Sequence, residues 1–130
     1  MDEGYREELQ ALSYIMSFTK FNDRSAEIME KASNEYSEIR EEMKAVRDKT
    51  PAEKKSLKKK MDLLHSKLNI EMGNVSAVYN YTVKNEGFDD VKEWAHKYLG
   101  LLQEKKMDVE EEMIILSDIM EKEKHNLGKE

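Results

Sequence analysis

The fold class the sequence predicts is all-α: an elongated antiparallel helical bundle of three long helices, the first bent or split into two, with coiled-coil-like packing and residues 1–130 as one domain. Two observations carry this. Apolar residues recur at steps of three and four almost from end to end, which lays one apolar seam along each helix. Hydrophobic and charged residues each make up 38% of the chain, the balance of long helices with much surface for little core.

The first helix begins near Asp2, with acidic residues in its first turn to suit the helix dipole. Its seam reads Tyr5, Leu9, Leu12, Met16. The next seam, Met29, Ala32, Tyr36, Ile39, Met43, Val46, is out of phase with it by about one residue. A bend or short break over residues 19–24 accounts for the shift, with Asn22 or Asp23 as cap; a single helix with a stutter is the alternative.

A sharp reversal is predicted at Thr50-Pro51. Thr50 is an N-cap residue, Pro51 suits the first helical position, and Glu53 completes a capping box. Helices 23–49 and 51–72 then fold back on each other as a hairpin. The second of these carries the seam Leu57, Met61, Leu64, Leu68, Met72, Val75.

Residues 73–83 read two ways. Val75, Ala77, Tyr79, Tyr81 and Val83 alternate as in a strand, while Met72, Val75, Tyr79 and Val83 fit a helix. Helix is the reading taken, irregular after Gly73, because a lone strand has no partner in this chain. Asn85–Phe88 is a turn, and Asp89 or Asp90 caps a last helix running to about Asn126. Its seam is Val91, Trp94 or Ala95, Tyr98, Leu102, Val109, Met113, Leu116, Met120. Gly100 inside it marks a close helix contact or a bend.

Composition narrows the function. There is no cysteine, which excludes disulfides and thiolate chemistry and fits a reducing compartment. The start, Met1-Asp2-Glu3-Gly4, is acidic where a secretory leader is basic, and no apolar run approaches the ~20 residues of a membrane span. A cytoplasmic location is expected. The sequons at Asn74 and Asn80 are then chance matches. Net charge is −6, unevenly spread: residues 1–50 carry −4, residues 51–85 carry +4 and residues 86–130 carry −6. A basic middle helix between acidic neighbours pairs with both.

Three constellations could bear chemistry. Asp62-x-x-His65 and Glu93-x-x-His96 each put a carboxylate and an imidazole on one helix face, as in carboxylate-bridged metal sites. In an antiparallel hairpin turning near residue 87 the two pairs lie roughly 20 Å apart along the axis, so no shared metal or other cofactor is expected, and both read as solvent-facing polar pairs. Lys54, Lys55, Lys58, Lys59 and Lys60 form the densest charge run, a possible contact for an anion or an acidic partner. No arginine or aromatic interleaves it, which argues against nucleic acid. Intramolecular pairing with Glu41 and Glu42, and with Asp118, Glu121 and Glu123, is the favoured reading.

Met113, Ile115, Leu116, Ile119 and Met120 form an apolar stripe broader than one seam, and this is the expected partner-binding surface. No catalytic residue set has a recognisable spacing. The expected function is therefore non-enzymatic: a helical protein–protein interaction module (adaptor, scaffold or assembly factor) that self-associates as a homodimer or other homo-oligomer. A small acidic inhibitor or chaperone-like protein that blocks one partner is the alternative, and a metal- or phosphate-handling enzyme comes third.

Overall fold

The computed structural model describes residues 3–128. Four α-helices are present, α1 (Glu3–Met16), α2 (Phe18–Lys44), α3 (Pro51–Lys84) and α4 (Asp89–Gly128), with a short 3₁₀ turn, Val46–Asp48, between α2 and α3. There is no strand among the described residues.

The first two helices meet at Ser17, earlier than residues 19–24. Ser17 leaves helical geometry at φ −110°, ψ 38°. Its N–H still donates to the Ser13 carbonyl, and its own carbonyl accepts from Phe21 N–H, so the ladder bends with little loss of hydrogen bonding. The seam read for α1 is also displaced. Tyr5, Leu9 and Met16 are exposed, while Ala11 is buried and Tyr14, Ile15 and Phe18 pack on the core. Aromatic packing decides this. Tyr14 stacks on Phe21 at 4.4 Å, and Phe18 and Phe21 both meet the Trp94 ring edge-on, at 5.1 and 5.5 Å. Such rings bury more area than leucines and contribute pair energies beyond it.

The α2 seam is as read: Ala32, Ile39 and Val46 are buried, with Met29, Tyr36 and Met43 packed against them. The helix stops at Lys44 rather than 49, and the 3₁₀ turn carries Val46 into the core before the chain reverses. At the reversal Thr50 Oγ1 accepts from Glu53 N–H and Glu53 Oε1 accepts from Thr50 N–H, each at 3.1 Å. Both halves of the capping box are formed, and Pro51 opens the helix where no N–H is needed.

α3 is one helix through Gly73 to Lys84, about 50 Å long at 1.5 Å per residue. Residues 73–83 are helical. Leu68, Glu71, Val75, Val78 and Thr82 step by three and four along one buried side. Ala77 and Tyr81 lie under α1 instead, lining a shallow cavity with Gly4, Glu7 and Glu8. Burial from two directions produces the alternation that mimics a strand. The helix ends at Asn85, and Gly87 turns the chain with φ +96°, a backbone state glycine adopts without penalty. Asp89 and Asp90 sit in the first turn of α4, stabilised by its dipole, rather than capping it: the preceding carbonyl, Phe88's, accepts from Lys92 N–H. Gly100 is exposed with open space where a Cβ would be, so it marks no close contact.

α3 and α4 run antiparallel along their length, with Lys54 beside Glu123, His65 beside Glu110 and Tyr81 beside Phe88. α2 runs antiparallel to α3, with Lys67 on Glu35 and Lys60 on Glu42, and parallel to α4, with Tyr98 on Ser25 and Arg40 on Glu112. The core between them is Leu57, Met61, Leu64, Leu68, Val75 and Val78 of α3 against Ala95, Leu102, Val109 and Leu116 of α4 and the α2 seam.

Candidate functional site

Five lysines in seven positions cover two turns of α3, so they diverge. Lys54 is 2% exposed and pairs with Glu123 of α4. Its charge is satisfied inside the protein, and it is withdrawn from any anion or acidic partner. Lys60 donates to Glu42 of α2 at 3.0 Å. Burial works against that carboxylate, but the bonds from Lys60 and Lys49 outweigh it and hold Glu42 below the usual carboxylate pKa. Lys55 and Lys58 line a cleft of about 390 Å³ at the end of α4, beside Glu121 and Lys124, and Lys59 is exposed. Lys54, Lys55 and Lys58 thus line one cleft, while Lys59 and Lys60 lie outside it.

The stripe read on α4 divides in the same way. Leu116 is fully buried against α3 and offers nothing to a partner. Met113, Ile119 and Met120 are half-buried and pack on the core. Ile115 alone of the five is exposed, at 49%. A broad apolar stripe here means a helix flanked by two neighbours. The outward face of α4 carries different apolar residues: Leu101, Met107 and Ile114, each more than half exposed.

The acid–histidine pairs separate as expected but choose other partners. His65 Nε2 lies 3.0 Å from Glu110 Oε1 of α4, not on Asp62 of its own helix, and is only a quarter exposed. His96 packs on Tyr79 at 6.1 Å. His65 and Tyr79 are fourteen positions apart on α3, or about 21 Å. Among the described residues no three His, Asp or Glu side chains gather to hold a metal ion.

An apolar groove lies between α2 and α3. It has a volume of about 280 Å³ and is walled by Ile28 and Ala32 of α2 and by Leu64, Leu68 and Ile70 of α3. Arg24, Lys31 and Lys67 stand on its rims, and Glu71 lies at one end. Leu63 and Glu38 continue it toward the Thr50 reversal. Leu63 and Ile70 are 63% and 66% exposed. Positions 63, 67, 70 and 74 share one face of α3 with 77 and 81, the half-buried positions beside α1. The groove is thus the uncovered continuation of a surface on which this protein already seats a helix.

Below that groove, the Tyr98 hydroxyl contacts the Ser25 carbonyl oxygen at 2.9 Å and Glu71 Oε2 at 3.2 Å, tying α4 to α2 and α3. Glu71 is 2% exposed and its Oε1 has no hydrogen-bond partner, nor has Ser25 Oγ. Burial pushes the Glu71 carboxyl above its usual pKa and pushes the Tyr98 hydroxyl up as well, the latter helped by Glu71's charge.

Comparison with protein-family models, with curated proteins and with solved structures finds no match to this chain. No helix among the described residues is long and apolar enough to cross a membrane. Sequence reasoning passed over Leu63, Ile70, Met107 and Ile114, all of which lie off the main seams. The available signal was their spacing of seven within α3 and within α4.

Proposed function

We propose that this chain is a non-enzymatic protein–protein interaction module, an adaptor, scaffold or assembly factor. In this reading its long helices form an elongated antiparallel bundle with coiled-coil-like packing. One observation carries the proposal: the groove between α2 and α3 leaves Leu63 and Ile70 bare on the same α3 face that α1 covers further along. Bare apolar side chains in register along a groove are the features by which an amphipathic helix docks, through anchors at steps of three, four and seven. The groove is lined by apolar side chains with cations on its rims, a surface suited to binding.

Crosslinking with mass spectrometry tests this directly. In a complex, Lys31 and Lys67 on the groove rims are the expected crosslinking positions. Leu63→Glu with Ile70→Glu, both solvent-facing, keeps the melting temperature and loses the complex. The proposal falls if crosslinks map elsewhere and the double variant binds as the wild type does.

The second reading, a small acidic inhibitor, is supported by the outer face of α4. Glu104 and Glu111 are exposed there and form no ion pair among the described residues. Loss of binding to a basic partner surface on Glu104→Lys with Glu111→Lys, with the groove variant still competent, would favour it.

A further inference from the structure

We propose that the occupant of the α2–α3 groove is the outer face of α4 from a second copy of this chain; this rests on the interaction reading above and names its partner. Along the groove, α3 presents Lys60, Leu63, Lys67, Ile70 and Asn74 at steps of three, four, three and four, and all but the half-buried Asn74 are exposed. Along its outer side, α4 presents Glu104, Met107, Glu111, Ile114 and Asp118 at the same steps, all exposed. The two stripes have the same pattern with charge of opposite sign. Leu63 and Ile70, and likewise Met107 and Ile114, are seven residues or about 10.5 Å apart, so both apolar anchors engage together.

The opposite wall agrees. The groove's rim charges are the exposed Arg24, Lys31, Lys60 and Lys67 against the half-buried Glu35 and the exposed Glu38, an excess of cations. Lys67 pairs with Glu35 and Lys60 with Glu42, but both lysines are more than half exposed, and such partly solvated pairs are of small worth. Among the described residues Glu104 and Glu111 form no ion pair that would have to be given up. An acidic helix with two apolar anchors fits this site, and α1 already shows that the same α3 face accepts a helix. The contact joins the groove of one copy to the α4 face of the other, and its charges set partner choice and register.

Pairing of the groove with the α4 face has a signature that contact between like surfaces does not share. One variant carries Lys60→Glu with Lys67→Glu, the other Glu104→Lys with Glu111→Lys, and melting curves establish that both remain folded. Sedimentation of the wild type shows concentration-dependent association that weakens with added salt. Each variant alone associates roughly tenfold or more weakly, because its two surfaces now repel. An equimolar mixture regains association, since each variant supplies the surface the other lacks. A wild type that stays monomeric at every concentration overturns the inference while leaving a foreign helix open to the groove test above. Association that ignores both charge reversals, or variants that do not recover on mixing, overturns it as well and points to a contact between like surfaces.

Discussion

The Tyr98 hydroxyl stands 2.9 Å from the Ser25 carbonyl oxygen and 3.2 Å from Glu71 Oε2, and it has one proton to give. The Ser25 carbonyl and the Glu71 carboxylate therefore share that one donor. Burial raises the Glu71 pKa against the opposing pull of that bond.

The sign of the resulting pH dependence follows. A carboxyl whose folded-state pKa lies above its unfolded value binds protons more readily when folded. Its contribution is present below the unfolded value near 4.5 and is lost as pH rises through the raised folded value. The difference in unfolding free energy, wild type minus Glu71→Gln, should therefore fall as pH rises from the carboxylate range toward neutrality. Denaturant unfolding of both proteins across that range checks it, and a difference that rises with pH refutes it.

Tyr98→Phe removes the shared donor and leaves the Ser25 carbonyl and Glu71 without it in a buried setting. The expected cost is about 1–3 kcal/mol. Glu71→Gln in the same background should recover part of this, because the amide can donate where the carboxylate cannot, and a double-mutant cycle measures the coupling.

Lys54 and Glu123 form an unequal pair, the lysine side chain 3% exposed and the carboxylate 40% exposed. Glu123→Ala strands a buried ammonium and should cost about 1–3 kcal/mol. Lys54→Met replaces the buried charge by an apolar chain of similar volume and should be close to neutral. Urea midpoints for the two variants should therefore differ, with Glu123→Ala the less stable.

On α4, Leu116→Ala should cost about 2–5 kcal/mol, the range for a large side chain removed from a packed core. Ile115→Glu, one residue earlier and half exposed, should stay within about 0.5 kcal/mol of the wild type. Equal losses in a melting comparison would mean that the broad stripe is one surface after all.

Thr50→Ala should cost about 1 kcal/mol, since it removes the acceptor for Glu53 N–H. The backbone N–H of residue 50, which holds the Glu53 carboxylate below its usual pKa, is kept in alanine, so only the hydroxyl's smaller share of that lowering is lost. A thermal melt and a carbon-detected titration of Glu53 read the two effects separately.

Read alone, the chain determines that it is helical, where it reverses, and which residues of α2, α3 and α4 face inward. These are local properties. A step of three and four names a helix and its buried side within one turn of backbone, and the capping box at Thr50 closes over four residues. Tertiary structure decided the rest. The α1 seam follows Tyr14 and Phe18 because Phe21 and Trp94 offer rings to pack on, and those rings come from other helices. Residues 73–83 are helix because α1 and α4 bury them from two sides, a pattern that period alone confuses with a strand. His65 finds Glu110, Lys54 finds Glu123, and Leu63 and Ile70 stay bare because turn lengths and core packing set the register between helices. Periodicity orients residues about one axis; it says nothing of which neighbour stands at a given height or whether one stands there at all.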